Sequence, residues 1–186
     1  MKKLKWLLIS VLVIVGFMMF VGMPYMQEQT KKHSPQITNT YAKNNFDLKT
    51  SFSSPSKKGR VIFGELVPFD VVWRTGANEP STFTTANDIK IIDKTLAAGT
   101  YSIWTKPGKD AWGVMFNKEI PDWGVTILSR GKKTTRNPDA DVVSVEVPTE
   151  GIATVQEKFA IDFEDGEQLY LILSWDQTKV RVPINN

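Results

Sequence analysis

Between Trp73 and Glu79 the chain sets an indole, a guanidinium, a carboxamide and a carboxylate around one glycine, in the run Val71-Val72-Trp73-Arg74-Thr75-Gly76-Ala77-Asn78-Glu79-Pro80. Those types at that spacing suit recognition of an oxyanion. Arg74 is a planar fork that matches a carboxylate, phosphate or sulfate. Asn78 and Glu79 would add hydrogen bonds, and Gly76 would let backbone approach the ligand. Trp73, with Trp104, Trp112 or Trp123, would supply a flat stacking wall, and Tyr101 stands on the strand leading to Trp104. The same residues have a purely architectural reading: Arg74 bridging Glu79 or Glu65, Asn78 capping a turn through its own backbone, and the indoles and Tyr101 filling a core.

Other chemistry is narrowly bounded. The only histidine is His33, and there is no cysteine. A domain beyond residue 45 therefore builds no Ser-His-Asp or Cys-His pair and no zinc site of His or Cys. No GxGxxG, P-loop or HExxH occurs. Asn137-Pro138-Asp139-Ala140-Asp141 begins like a calcium loop, but Val142 takes the glycine position and Pro148 the bidentate glutamate position, so it reads as a solvated loop. No catalytic residue, metal ligand or cofactor is assigned. Catalysis by Glu65, Asp70 or Glu79 beside Arg74, as in a hydrolase or lyase, is the weakest of the readings and needs paired acids in a cleft.

The elements that must position these residues are strands. Val143, Val145 and Val147 alternate with Val142, Ser144 and Glu146; Phe159, Ile161 and Phe163 alternate with Lys158 and Asp162. The stretch from Gln168 to Trp175 is apolar on both faces, as for a covered strand. In the last run Val180, Val182 and Ile184 alternate around Arg181, and Pro183, which cannot donate to a ladder, places the strand's end or an edge there. Turn signals fall at Ala98-Gly99, at residues 106–110 and at Asp165-Gly166. No amphipathic helix follows the first 25 residues. The expected fold is all-β, a two-layer β-sandwich, jelly-roll-like or immunoglobulin-like, behind an N-terminal transmembrane helix.

That helix is read over residues 1–25. Lys2, Lys3 and Lys5 precede an uncharged run from Leu7 to Met23, with Trp6 and Tyr25 at its ends. Seventeen helical residues rise ~25 Å, somewhat short of a hydrocarbon core of about 30 Å, and snorkelling by Lys5 covers the difference. The run is longer than a signal peptide's apolar region and lacks an Ala-x-Ala site, so an uncleaved signal anchor is favoured over a cleaved signal. The lysines place the N-terminus in the cytoplasm and the rest outside the membrane, in the periplasm or at the cell surface. Residues 26–45 are polar and read as a flexible tether, and 46–186 as the exported domain.

Charge divides the same way. Residues 1–46 hold six lysines and one acid, net +5, while 47–186 hold seventeen basic and nineteen acidic residues, net −2. The basic excess belongs to the anchor and its sequel, which removes support for a nucleic-acid partner. Without cysteine the exported domain is held by packing alone.

Around the heptad stand Gly59-Arg60-Val61-Ile62-Phe63-Gly64-Glu65-Leu66-Val67-Pro68, a Leu96-x-Ala98-Gly99-Thr100-Tyr101-Ser102 hairpin, Trp112-x-Val114-x-x-Asn117-Lys118, and a later Trp123-Gly124. From about Phe46 to Ile184 the chain resembles the bacterial domains of unknown function numbered 2911. The resemblance implies an exported all-β protein of uncharacterised activity. Two positions depart from the pattern: Phe69-Asp70 stands where relatives show Tyr-Gly, and Val125-Thr126 where they show Ala-Tyr, so a site using those hydroxyls is altered here. The expected function is a membrane-anchored, non-catalytic binding module for a small anionic or glycan ligand or an envelope protein; a structural or assembly role in the envelope is the alternative. Candidate ligand contacts are Trp73, Arg74, Asn78, Glu79, Tyr101 and Trp104, and residues 6–25 meet the membrane.

Overall fold

The structure is a computed structural model that describes residues 2–126, 129 and 133–186. It divides into two compact units, Met1–His33 and Ser34–Asn186. The first is helical: α1 (Lys2–Phe17), one π-helical turn (Met18–Gly22) and α2 (Met23–His33). The π turn has a local cause. Pro24 lacks an N–H and its ring collides with a carbonyl one turn back; just before it, Met23 donates to Met18 O, five residues back. The span Lys3–His33 is long and apolar enough to cross a membrane.

The second unit is all β, with nine strands in the order β1-β2-β3-β6-β7-β8-β9-β4-β5, every named pairing antiparallel. The strands are β1 (Gln36–Lys43), β2 (Phe46–Ser53), β3 (Ser81–Thr85), β4 (Ile89–Ile91), β5 (Lys94–Leu96), β6 (Gly99–Pro107), β7 (Ala111–Asn117), β8 (Asp141–Glu164) and β9 (Leu169–Asn185). β8 belongs to both layers. It pairs with β7 up to Pro148 and with β9 from Thr149, and its register shifts between Gly151 and Ala160 let it turn from one layer into the other. One aromatic and aliphatic core lies between the layers. Val143, Val145, Val147, Phe159, Ile161, Val180, Val182 and Ile184 are buried in it, as their alternation predicts.

One stretch differs from the sequence reading. Residues 26–45, expected as a flexible tether, carry the rest of α2 and then β1, which pairs with β2 along its whole length. Only Ser34 and Pro35 separate helix from strand; the Pro35 carbonyl accepts from Ser54 N at 2.9 Å. The β1–β2 connection is Asn44-Asn45, both at positive φ (53° and 66°), as a two-residue hairpin turn requires. At Pro183 the edge alternative holds, and β9 does not end there. It continues to Asn185 and pairs with β4, Ile91 opposite Ile184, while its pairing with β8 has already stopped at Val180. Pro183 thus sits where no β8 neighbour asks for its N–H.

Candidate functional site

The heptad runs alongside β6. Trp73 forms a two-bond bridge with Thr105, N–H to carbonyl at 2.7 and 3.1 Å, and this turns its indole into the core. There it stacks on Trp175 at 6.0 Å and 13° and meets Phe159 edge-on at 5.0 Å. The chain then bends through three left-handed residues, Thr75 (φ 59°), Gly76 (φ 134°) and Asn78 (φ 58°). A β-branched residue in that region is strained, and strain of this kind survives only where the surroundings fix it. Here they do: Thr75 Oγ1 and Thr105 Oγ1 are hydrogen-bonded to each other at 3.1 Å, and the Thr75 carbonyl accepts from Ser81 Oγ. A Cβ on Gly76 would lie 2.9 Å from the Ser53 carbonyl. The approach that Gly76 permits is therefore to the end of β2, not to a ligand.

Asn78 is buried and holds separate segments together. Its amide nitrogen lies 3.4 Å from both Ser34 O and Ser53 Oγ, and its backbone carbonyl accepts from Gly124 N at 3.0 Å. The segment Trp123-Gly124 is in turn tied back by Thr135, whose Oγ1 donates to Trp123 O at 2.6 Å. Gly124 rests on the Arg74 stem so closely that a Cβ there would stand 2.6 Å from Arg74 Cδ and 2.9 Å from its Cβ.

Arg74 is the residue this packing isolates. It is mostly covered, its Nε is shut off from solvent with no acceptor, and among the described residues no carboxylate is paired with it. Burial accordingly pushes its pKa below the ordinary arginine value. Arg181 shows the usual arrangement. Its Nε and Nη2 bond Glu150 at 2.9–3.1 Å and its Nη1 bonds Glu164 at 2.9 Å, and the Glu150 hydrogen bonds lead in raising its pKa. The Arg74 bridge to Glu79 or Glu65 expected from the architectural reading is not formed among the described residues; Glu65 is exposed and Glu79 half-buried.

The other sequence candidates fall elsewhere. Trp104 is fully buried and donates its indole N–H to Ser102 Oγ at 2.8 Å. Trp112 is core. With Trp73 at 9 % exposure, three of the four indoles considered for a stacking wall present no open face. Only Trp123, beside the glycine that covers Arg74, remains half-buried. Tyr101 lies four residues, roughly 13 Å, along β6 from Thr105, and its hydroxyl donates to Ala97 O at 2.9 Å. Burial, and next the charge of Asp88, push its pKa up. It does not share a site with Arg74. Asn137–Asp141 holds a 3₁₀ turn capped by Asn137, whose side chain accepts from Asp139 N, and the Asp141 carboxylate is taken by Arg136 and Asn117. Among the described residues no group of acids and histidines is placed to hold a metal ion. Gly124 is the position that sequence reasoning underused: the Trp-Gly pair was visible, but nothing local shows that its glycine is fitted against an arginine fifty residues earlier.

No curated protein matches the chain, and no solved structure does. A family model does, over residues 34–184, which is the whole β unit save its last two residues, from the Ser34 that meets Asn78 to the Ile184 that pairs with β4. The chain therefore belongs to the family described as protein of unknown function, DUF2911.

Proposed function

We propose that this protein is a membrane-anchored, extracytoplasmic binding module that receives a small oxyanion on Arg74. The observation that carries the reading is a half-buried arginine whose Nε is sealed from solvent without an acceptor and whose guanidinium has no carboxylate partner among the described residues, in a loop held in strained backbone. A buried charge without a partner costs several kcal/mol unless something supplies the counter-charge, and sites of function are where such costs are tolerated. Carboxylate, phosphate and sulfate share the geometry that a guanidinium matches. Trp123 lies next in the chain to the glycine on the Arg74 stem, so its indole reports an event there. The hydrolase or lyase reading ranks lower because Glu65 and Asp70 are both exposed, which leaves them in solvent rather than paired in a cleft.

The test is tryptophan fluorescence of the full chain in detergent, titrated separately with inorganic phosphate, sulfate, acetate, citrate and glucuronate. Saturable change with at least one of them is expected, with Arg74→Met losing it while circular dichroism stays the same. Flat titrations for all five, or a response that Arg74→Met leaves intact, would remove the reading.

A further inference from the structure

The end of the β unit at which the chain enters is closed by a loop, residues 55–72, that leaves β2 after Ser54 and returns along β6. It is fixed at both borders. Phe159 N–H donates to Pro55 O at 3.0 Å and Lys57 N–H to Glu157 O at 2.7 Å, while Asp70 N–H donates at 2.8 Å to the carbonyl of Pro107, the last residue of β6. Inside the loop Val67 N–H donates to Ile62 O at 2.8 Å and Gly64 N–H to Val67 O at 2.9 Å. The Phe69 ring lies so close over Gly64 that a Cβ there would stand 2.9 Å from it. Ile62 and Val67 are buried in the core, so the loop plugs the opening between the layers. Its outer side is apolar as well. Val61, Leu66 and Val71 are 45–52 % exposed, and so is Val155, two residues before the Glu157 that holds Lys57. Among the described residues of the β unit six large apolar side chains are exposed, and only Ile120 and Val142 lie outside this group of four. Scattered exposed apolar residues are ordinary, whereas a group of them on one fixed loop marks a contact surface.

We infer that this cap rests in the headgroup layer of the membrane that holds the chain's own helix. Chain connectivity selects lipid as the occupant. β1 begins at this end and runs away from it, so the chain arrives here from α2, and the Pro35 carbonyl accepts from Ser54 N at 2.9 Å just where the loop departs. α2 has eleven residues, a rise of about 16 Å from the end of the uncharged run. The headgroup layer takes up roughly 5–8 Å of that height, and a tilt of about 20°, usual for a spanning helix, shortens it further. The cap lies beyond the strand ends on that side, and a projecting loop is what spans the gap that is left. Charge agrees with this orientation. Within residues 55–72 Lys57, Lys58 and Arg60 outnumber Glu65 and Asp70, and Lys109 sits over the Phe69 ring at 6.0 Å; such cations meet lipid phosphates. At the other end of β1, where Lys43 reaches Asp165 at 3.9 Å, the β8–β9 turn exposes Asp165 and Glu167. The contact holds the β unit with that acidic turn away from the bilayer. The inference rests on the reading of residues 1–25 as an anchor and is independent of Arg74.

The chain lacks cysteine, so a single cysteine carrying a fluorescent label reports without background. The purified full-length protein is placed in vesicles of phosphatidylcholine and phosphatidylglycerol, with and without lipids spin-labelled high on the acyl chain, which quench only a label that touches lipid. Label on Leu66→Cys is expected to be quenched about twofold, as at a side chain inserted at the headgroup boundary, while Glu167→Cys, exposed in the β8–β9 turn, is unaffected. Val21→Cys, near the end of the uncharged run, tests the anchor itself. If Val21 escapes quenching, the anchor reading falls and this inference with it; if Val21 is quenched and Leu66 no more than Glu167, the inference alone is overturned. Adding Val61→Asp and Val71→Asp, both at exposed positions, is expected to bring Leu66 down to the level of Glu167 with the Val21 signal and the thermal melt unchanged. Quenching at Leu66 indifferent to the two aspartates would overturn the inference. So would a Leu66 label shielded from aqueous iodide yet untouched by the spin-labelled lipid, since protein would then cover the cap.

Discussion

Arg74 and Arg181 put the same group in opposite circumstances, one without a carboxylate and one held by two. Replacing a half-buried charge whose Nε has no acceptor by an apolar side chain of similar length removes a partial desolvation cost and keeps the packing against Gly124. Arg74→Met is therefore expected to raise the melting temperature by about 2–4 °C, on the order of 1 kcal/mol in a chain of this size, in a thermal melt monitored by circular dichroism. A fall of similar size would mean that the guanidinium supports the fold. Tyr101 gives a pH dependence. Its pKa is raised in the fold, so the folded state holds its proton more tightly; this contribution is complete below the unfolded value of about 10 and is lost as pH rises past it. Subtracting urea midpoints of Tyr101→Phe from those of the parent across that range should isolate this loss, and a flat difference would contradict it. At this scale the sequence showed which residues bear chemistry, but not their surroundings. Trp73, Trp104 and Trp123 look alike in the chain, and only the partners of each strand face decide that two are buried and one is half-open.

Among the elements, the two ends of β8 and the second half of β9 were legible because burial on one face forces their apolar residues to alternate, and the Asp165-Gly166 turn is a strong local signal. β1 was not. Its residues Gln36 to Lys43 are mostly polar because much of the strand is exposed, so no apolar alternation marks it, although Asn44-Asn45 carried the hairpin signal. The consequence is testable by truncation. A fragment of residues 34–186 keeps β1, the Asn39 bond to Ile161 and the Ser34 bond from Asn78. A fragment starting at Phe46 exposes the full edge of β2 and uncovers part of β8. Size-exclusion chromatography should find the longer one monodisperse at low concentration, and the shorter one aggregated or melting roughly 10 °C lower. Equal behaviour would return residues 34–45 to the role of a tether.

For the whole molecule, the division into a basic apolar helix and a mildly acidic β unit was readable from composition, because a membrane and a folded core demand such different residues. Where the helix stops was not, since α2 is polar and its helicity leaves no apolar stripe. An uncleaved anchor predicts a membrane-bound species with the full 21.0 kDa mass, read by intact-mass spectrometry of the membrane fraction; a shortened species in the soluble extracytoplasmic fraction would mean cleavage. The strand order has its own bearing on how such a chain matures. β4 and β5 are made midway, yet among the described residues the strand that pairs with β4 besides β5 is β9, with Lys90 opposite Asn185 and Ile91 opposite Ile184. A ribosome thus releases β4 and β5 well before the strand that supports them, so this half of the layer closes only once β9 has emerged.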